Sequence, residues 1–122
     1  MLSGMGCAKK QATVAGMIFL APALASQIKS ADRLFIIARN PQGGPPLAVK
    51  KIEHPSFPLK YQLSEADAMI EGRAFEGMIN VVARISRGGD AMPQKGDFEG
   101  ACGGNPLKVG EQQANITIDK TL

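Results

Sequence analysis

The amino-acid sequence predicts an all-β protein, an antiparallel β-sandwich of about seven strands with one or two short helical turns. Three observations carry that expectation. Short apolar or alternating runs recur at a spacing of roughly 8–15 residues, the interval of all-β sandwiches. Turn formers are abundant, with 14 Gly and 8 Pro in 122 residues. And the chain writes one strand-to-turn pattern twice, as FIIARNPQGG (35–44) and NVVARISRGG (80–89). In both, two β-branched residues lead into Ala-Arg, three variable residues and Gly-Gly.

The elements follow in order. TVAGMIFL (13–20) alternates, with Val14, Gly16, Ile18 and Leu20 on one face. APALASQIKSAD (21–32) leans towards a short helix, with Pro22 suited to a first turn and Ile28 expected to plug the core. RLFIIAR (33–39) is a continuous apolar run of a length that suits a buried central strand. NPQGGPP (40–46) is a loop, and LAVKKI (47–52) the next strand. FPLKYQL (57–63) alternates again, and Pro58, which lacks a ladder donor, marks it as an edge strand. Ser64 with Asp67 three residues on reads as a capped helical turn.

GMINVVARIS (77–86) places Ile79, Val81, Ala83 and Ile85 on one face. RGGDAMPQKGDFEGACGGNP (87–106) reads as one long loop, a length usually reserved for binding or mobile segments. LKV (107–109) and QANITID (113–119) are expected to close the chain as a hairpin around Gly110-Glu111, with Ala114, Ile116 and Ile118 inward. Met69 and Met78 are expected to fill the core. The length is that of one domain, assigned to 13–122, behind a flexible segment 1–12.

On this reading the two repeats are paired central strands, each leaving the core at Ala-Arg. Gly43-Gly44 and Gly88-Gly89 would supply left-handed backbone, and Arg39 and Arg84 would sit at strand ends, bracing loops through carbonyls or through Asp97 or Glu99. The alternative is an exposed arginine pair that binds an anion.

The formal charge of +3 is small and scattered, and Lys9-Lys10 and Lys50-Lys51 carry no interleaved aromatics, which argues against nucleic acid. Catalysis lacks its parts. His54, before Pro55, is the only histidine and has no recognisable nucleophile to serve. Neither a blue-copper set nor a zinc cluster is written, and no nucleotide-binding glycine motif fits, so no metal or cofactor is expected. Glu65, Asp67 and Glu71 read as cap and surface residues of the helical turn. Cys7 and Cys102 form no redox motif; an oxidising compartment would permit a disulfide between them, for which the sequence gives no geometry. LSGMGC (2–7), followed by polar residues, reads as the end of a bacterial lipoprotein leader, which would make Cys7 a lipid attachment point; an ordinary cysteine in a loose terminus is the other reading.

LFIIARNPQGGPPLAVKKI (34–52) and VARISRGGDAMPQKGDFEG (82–100), with LAPALA (20–25) and ITID (116–119), resemble the C-terminal periplasmic domain of the CcmI/CycH family of c-type cytochrome biogenesis subunits. The resemblance spans about residues 14–120 in order. It implies an immunoglobulin-like sandwich in the bacterial periplasm, working without catalysis alongside the haem-ligation machinery or apocytochrome c. Arg39 and Pro46 fall in the first motif, and Arg84, Ser86, Gly96 and Asp97 in the second; with loops 40–46 and 87–104 they make the expected interaction surface. Family members carry two transmembrane helices and a helical-repeat domain ahead of this one. Neither is written in these residues, and a lipid on Cys7 is the expected anchor in their place. A different class remains open, a stand-alone envelope sandwich that binds a small anion or saccharide or is purely structural.

Overall fold

Alternation produces the first strand, β1 (Thr13–Leu20), in which Val14, Gly16 and Ile18 are buried and Phe19 is left exposed. This computed structural model describes residues 13–69, 75–90 and 92–122, and the expected N-terminal segment with Cys7 lies outside them. One helical turn, α1 (Pro22–Ala25), follows, with proline where its missing N–H goes unneeded. β2 (Arg33–Arg39) is buried on both faces along its whole middle, as an unbroken apolar run requires. β3 (Pro46–Glu53) and β4 (Leu59–Ser64) come next. Ser64 then caps a 3₁₀ turn (Glu65–Asp67): its Oγ accepts from the Ala66 N–H at 3.2 Å, and its own N–H donates to Asp67 Oδ2 at 2.9 Å.

β5 (Met78–Ser86), β6 (Phe98–Ala101), β7 (Leu107–Lys108), β8 (Ile116–Ile118) and β9 (Lys120–Thr121) complete the described elements. They form two sheets. The smaller runs β4-β1-β8; the larger runs β3-β2-β5-β6-β9, with β7 also paired to β5. Val14, Ile18, Leu63, Ile116 and Ile118 from one sheet meet Leu34, Ile36, Ile79, Val81, Ile85 and Phe98 from the other. Each such side chain contributes about 1.5–3 kcal/mol by leaving water. Tyr61 joins this core and satisfies its hydroxyl by donating to the Ala114 carbonyl at 2.6 Å.

The architecture is the expected all-β sandwich, β4 is the expected edge strand, and the two repeats are indeed neighbouring central strands. Three local expectations are corrected. Residues 107–119 form no hairpin: β7 pairs with the start of β5, while β8 runs parallel to β1, so Gly110 turns the chain between two sheets. The long 87–106 loop is interrupted by β6. Met69 and Met78 stand 58% and 49% exposed instead of filling the core.

Two glycines let the layers meet. A Cβ on Gly16 would overlap the Ala114 carbonyl, and one on Gly100 would overlap that of Thr117. Gly100→Ala is therefore expected to destabilise by about 1–3 kcal/mol, since backbone on both sides must shift. Gly103→Ala, which points into open space, should stay within about 0.5 kcal/mol of the parent. Urea unfolding of the two variants checks this, and equal midpoints would contradict the close approach.

Candidate functional site

The antiparallel register of β2 and β5 decides where the two arginines go. Arg39 stands opposite Asn80, whereas Arg84 stands opposite Phe35. The two ends of this ladder, Arg39–Asn80 and Arg33–Ser86, lie six residues apart, roughly 20 Å along the strands. Arg39 ends its strand as expected and donates from Nη1 to the Gly44 carbonyl at 3.3 Å, bracing the turn in which Gly43 and Gly44 are left-handed. Arg84 lies inside its strand, not at its end, and is 2% exposed. Of the second glycine pair only Gly89 is left-handed.

Arg84 belongs to a buried ionic cluster on the face of the large sheet turned away from the main core. Glu99 stands opposite it on β6, with Nη1 3.6 Å from Glu99 Oε2, and Nε lies 3.9 Å from Asp97 Oδ2. Asp97, itself 0% exposed, accepts from the Arg87 N–H at 3.0 Å and from the Gln94 N–H at 2.9 Å. One carboxylate thus ties both stems of the 87–97 loop to the sheet. Gly96, at φ +96°, turns the chain so that its N–H reaches the Leu122 carbonyl at 2.7 Å, and the Leu122 N–H returns to the Asp97 carbonyl at 2.8 Å. Ser86 Oγ accepts from the Asp90 N–H at 2.8 Å.

Arg87 extends the cluster towards the small sheet. Its Nε donates to Asp32 Oδ1 at 3.1 Å and its Nη2 to the Gln27 carbonyl at 2.8 Å, while the guanidinium lies 4.7 Å from the centre of the Phe98 ring. The other oxygen of buried Asp32 accepts from the Lys29 N–H at 2.8 Å. The segment after α1 is held in place by these bonds.

The expected interaction surface is therefore rearranged. Ser86 and Asp97 are fully buried and Arg84 nearly so, since their polar atoms serve the loop backbone and each other. These three lie where a partner cannot touch them. Nor do the loops make one surface: 40–46 shares its end of the sheet with 102–106, where the Asn105 side chain exchanges two hydrogen bonds with Val81, while 87–97 lies at the opposite end. Arg39 and Pro46, paired across β2 and β3, keep partial exposure. The arrangement also keeps the arginines from converging on a shared anion.

Other chemistry-bearing residues stand apart. His54 is exposed at φ +55°, and Cys102 is a buried free thiol. Among the described residues no group of three or more His, Cys, Asp or Glu side chains is placed to hold a metal, and no helix is long and apolar enough to cross a membrane.

What the sequence did not suggest is a pair of depressions along the small sheet. One, of about 360 Å³, is lined by Phe19, Leu20, Ala25, Ile28, Pro55, Phe57 and Pro58. The other, of about 660 Å³, lies over Ala15, Met17, Lys60 and Gln62 with Gln112, Gln113 and Asn115. The available signal was the outward position of Met17 and Phe19 in the alternation of β1.

Residues 14–119 match the family model of the cytochrome c-type biogenesis protein H Ig-like domain. The chain belongs to that family. It is 35% identical over 111 residues to the cytochrome c-type biogenesis protein CycH of Pseudomonas aeruginosa, an alignment that takes 88% of this chain and 26% of that protein. It is 27% identical over 114 residues to an uncharacterized protein of Aquifex aeolicus, covering 93% of this chain and 74% of that one. The chain thus spans about a quarter of the Pseudomonas CycH protein. No solved structure matches. The family's Ig-like description agrees with the two-sheet packing.

Two outcomes test the site. Arg84→Ala leaves Asp97 buried without that cation and is expected to cost about 3–5 kcal/mol, whereas Arg39→Ala, at a half-exposed turn, should cost under about 1 kcal/mol; chemical unfolding compares them. Burial pushes the Tyr61 phenol above its ordinary value of 10.0, and negative charge on Cys102 adds to this. The unfolded chain then releases that proton before the folded one does, so Tyr61's contribution is intact below about pH 10 and declines as pH rises beyond it. Thermal melts between neutral and alkaline pH should show the decline, and Tyr61→Phe should flatten its slope.

Proposed function

We propose that this chain is a non-catalytic protein-binding module that assists the assembly of c-type cytochromes. The observation that carries this reading is the family match over residues 14–119, nearly all of the sandwich. The name of the Pseudomonas relative points to the same process. The geometry supports a binding role because the buried charged groups brace loops: Arg84, Asp97, Arg87 and Asp32 spend their hydrogen bonds and charge on backbone and on one another. The partners are components of the haem-ligation machinery or apocytochrome c. The place of action is the bacterial periplasm, and a lipid on Cys7 is the membrane tether.

The reading is tested by crosslinking the tagged chain in its native envelope and identifying the adducts by mass spectrometry. Haem-ligation subunits or an apocytochrome should be recovered. Recovery of neither, from cells that are making c-type cytochromes, would contradict it. Intact mass of the membrane-extracted chain tests the tether separately, because an acylated Cys7 adds the mass of its fatty chains.

A further inference from the structure

The geometry points to an extended acidic peptide as the occupant of the groove along the outer face of the small sheet, with an apolar side chain held at the Phe19–Phe57 end and a carboxylate paired to Lys60. This deepens the protein-binding reading above and rests on it. The groove follows from the strand pattern. β1 turns Val14, Gly16 and Ile18 into the core, which leaves Ala15, Met17 and Phe19 as an outward stripe. β4 lies beside it with Met17 opposite Lys60 and Ile18 opposite Leu59. The two depressions lie at successive outward positions of this pair: Met17 and Lys60 line one, and Phe19, two residues on in β1, and Pro58, just before β4, line the other. Ala15 to Leu20 spans about 17 Å, the length of five or six extended residues.

Its two ends differ in chemistry. Among the described residues the side chains lining the first depression carry no polar atom, and Phe19, 42% exposed, lines it beside Phe57 and Pro58. One wall, at Ala25 and Ile28, belongs to the segment that Arg87 pins through the Gln27 carbonyl and Asp32, so it is formed before any partner arrives. The second depression is lined by the amides of Gln62 and Gln113, by Gln112, whose Nε2 already donates to the Thr13 and Gly110 carbonyls, by Asn115, whose Oδ1 already accepts from the Met17 N–H, and, as its only charged group among the described residues, by Lys60. Among the described residues neither is lined by a carboxylate.

That combination selects the occupant. Side-chain amides pair with the donors and acceptors of a peptide backbone, the Phe and Pro walls take an apolar side chain, and an ammonium with no carboxylate beside it among the described residues favours one from a ligand. With Lys60 two strand positions from the apolar end, the carboxylate falls two to four residues along an extended peptide, given the reach of a lysine. A second copy of this chain brings a net charge of +3 against the lysine, and a bilayer would require these aromatics to project where they instead line a hollow.

The test pans a randomised peptide library displayed on phage against the full chain. It then measures the enriched peptides, fluorescently labelled, by anisotropy. Enriched sequences should carry an aromatic, leucine or proline residue two to four positions from Asp or Glu. Phe19→Ser and Lys60→Glu, both at exposed positions and checked for an unchanged melting temperature, should each weaken binding by about tenfold or more. Lys60→Glu should in addition prefer the same peptides with Lys in place of the acid. No enrichment, enriched peptides without a carboxylate, or affinity unchanged in both variants would overturn the groove. So would binding of cello-oligosaccharides or phosphatidylglycerol vesicles, or self-association of the chain, in place of peptide. Crosslinking in the envelope separates this from the wider reading. If Phe19→Ser still captures haem-ligation partners, the groove fails and the assembly role stands; if the parent captures none while peptides bind the groove, the reverse holds.

Discussion

In the ladder between β2 and β5, Phe35 faces Arg84 and Arg39 faces Asn80. This antiparallel register governs the rest of the molecule. It takes two near-identical sequence motifs and aims them in opposite directions, so that one arginine braces a turn at one end of the sheet while the other enters a buried cluster towards the other end. A parallel pairing would have brought both Gly-Gly turns to one edge and both guanidiniums side by side. The strand direction, more than the identity of the residues, is what removes an anion site and creates a loop anchor.

The anchor has energetic consequences beyond the loop. An arginine that is 2% exposed has lost its hydration, and closely placed carboxylates help to offset that loss. Asp97, just before β6, and Glu99, within it, lie two residues apart, and both approach Arg84. Asp97 in turn holds the chain on both sides of the turn by receiving the Arg87 and Gln94 N–H groups. Arg87, one residue further on, carries the same constraint across to Asp32 and the segment after α1. Charged residues act here as internal fasteners between the large sheet and the wall of the groove along the small one.

Much of the fold was legible because it rests on period-two alternation and on an unbroken apolar run, signals that survive without knowledge of neighbours. β1 and β2 are read from them directly, and the Ser64–Asp67 cap from its spacing. β6 was not legible. Of its four residues, Phe98 is the only large apolar one and Gly100 is small because the Thr117 backbone occupies the space; the acids on either side of Phe98, though legible as partners for Arg84, read as loop residues. The partners of β7 and β8 were equally hidden: Gly110 is a genuine turn, but a turn does not say which strand receives the chain. Arg84, Ser86 and Asp97 could be singled out from their motif, yet burial depends on tertiary pairing, and so they read as surface when they are interior. The groove arises between segments far apart in the chain, and only the outward placement of Met17 and Phe19 hinted at it.

The loop anchor requires Arg84 and Asp97 to be coupled inside the protein. A double-mutant cycle measures this most directly, with Arg84→Met, Asp97→Asn and the double variant unfolded in urea under one set of conditions. The structure predicts a coupling energy of about 2 kcal/mol, with the double variant more stable than the sum of the single losses implies. A coupling within about 0.3 kcal/mol of zero would mean that the two side chains act independently, and would contradict the buried anchor on which the loop and the groove wall depend.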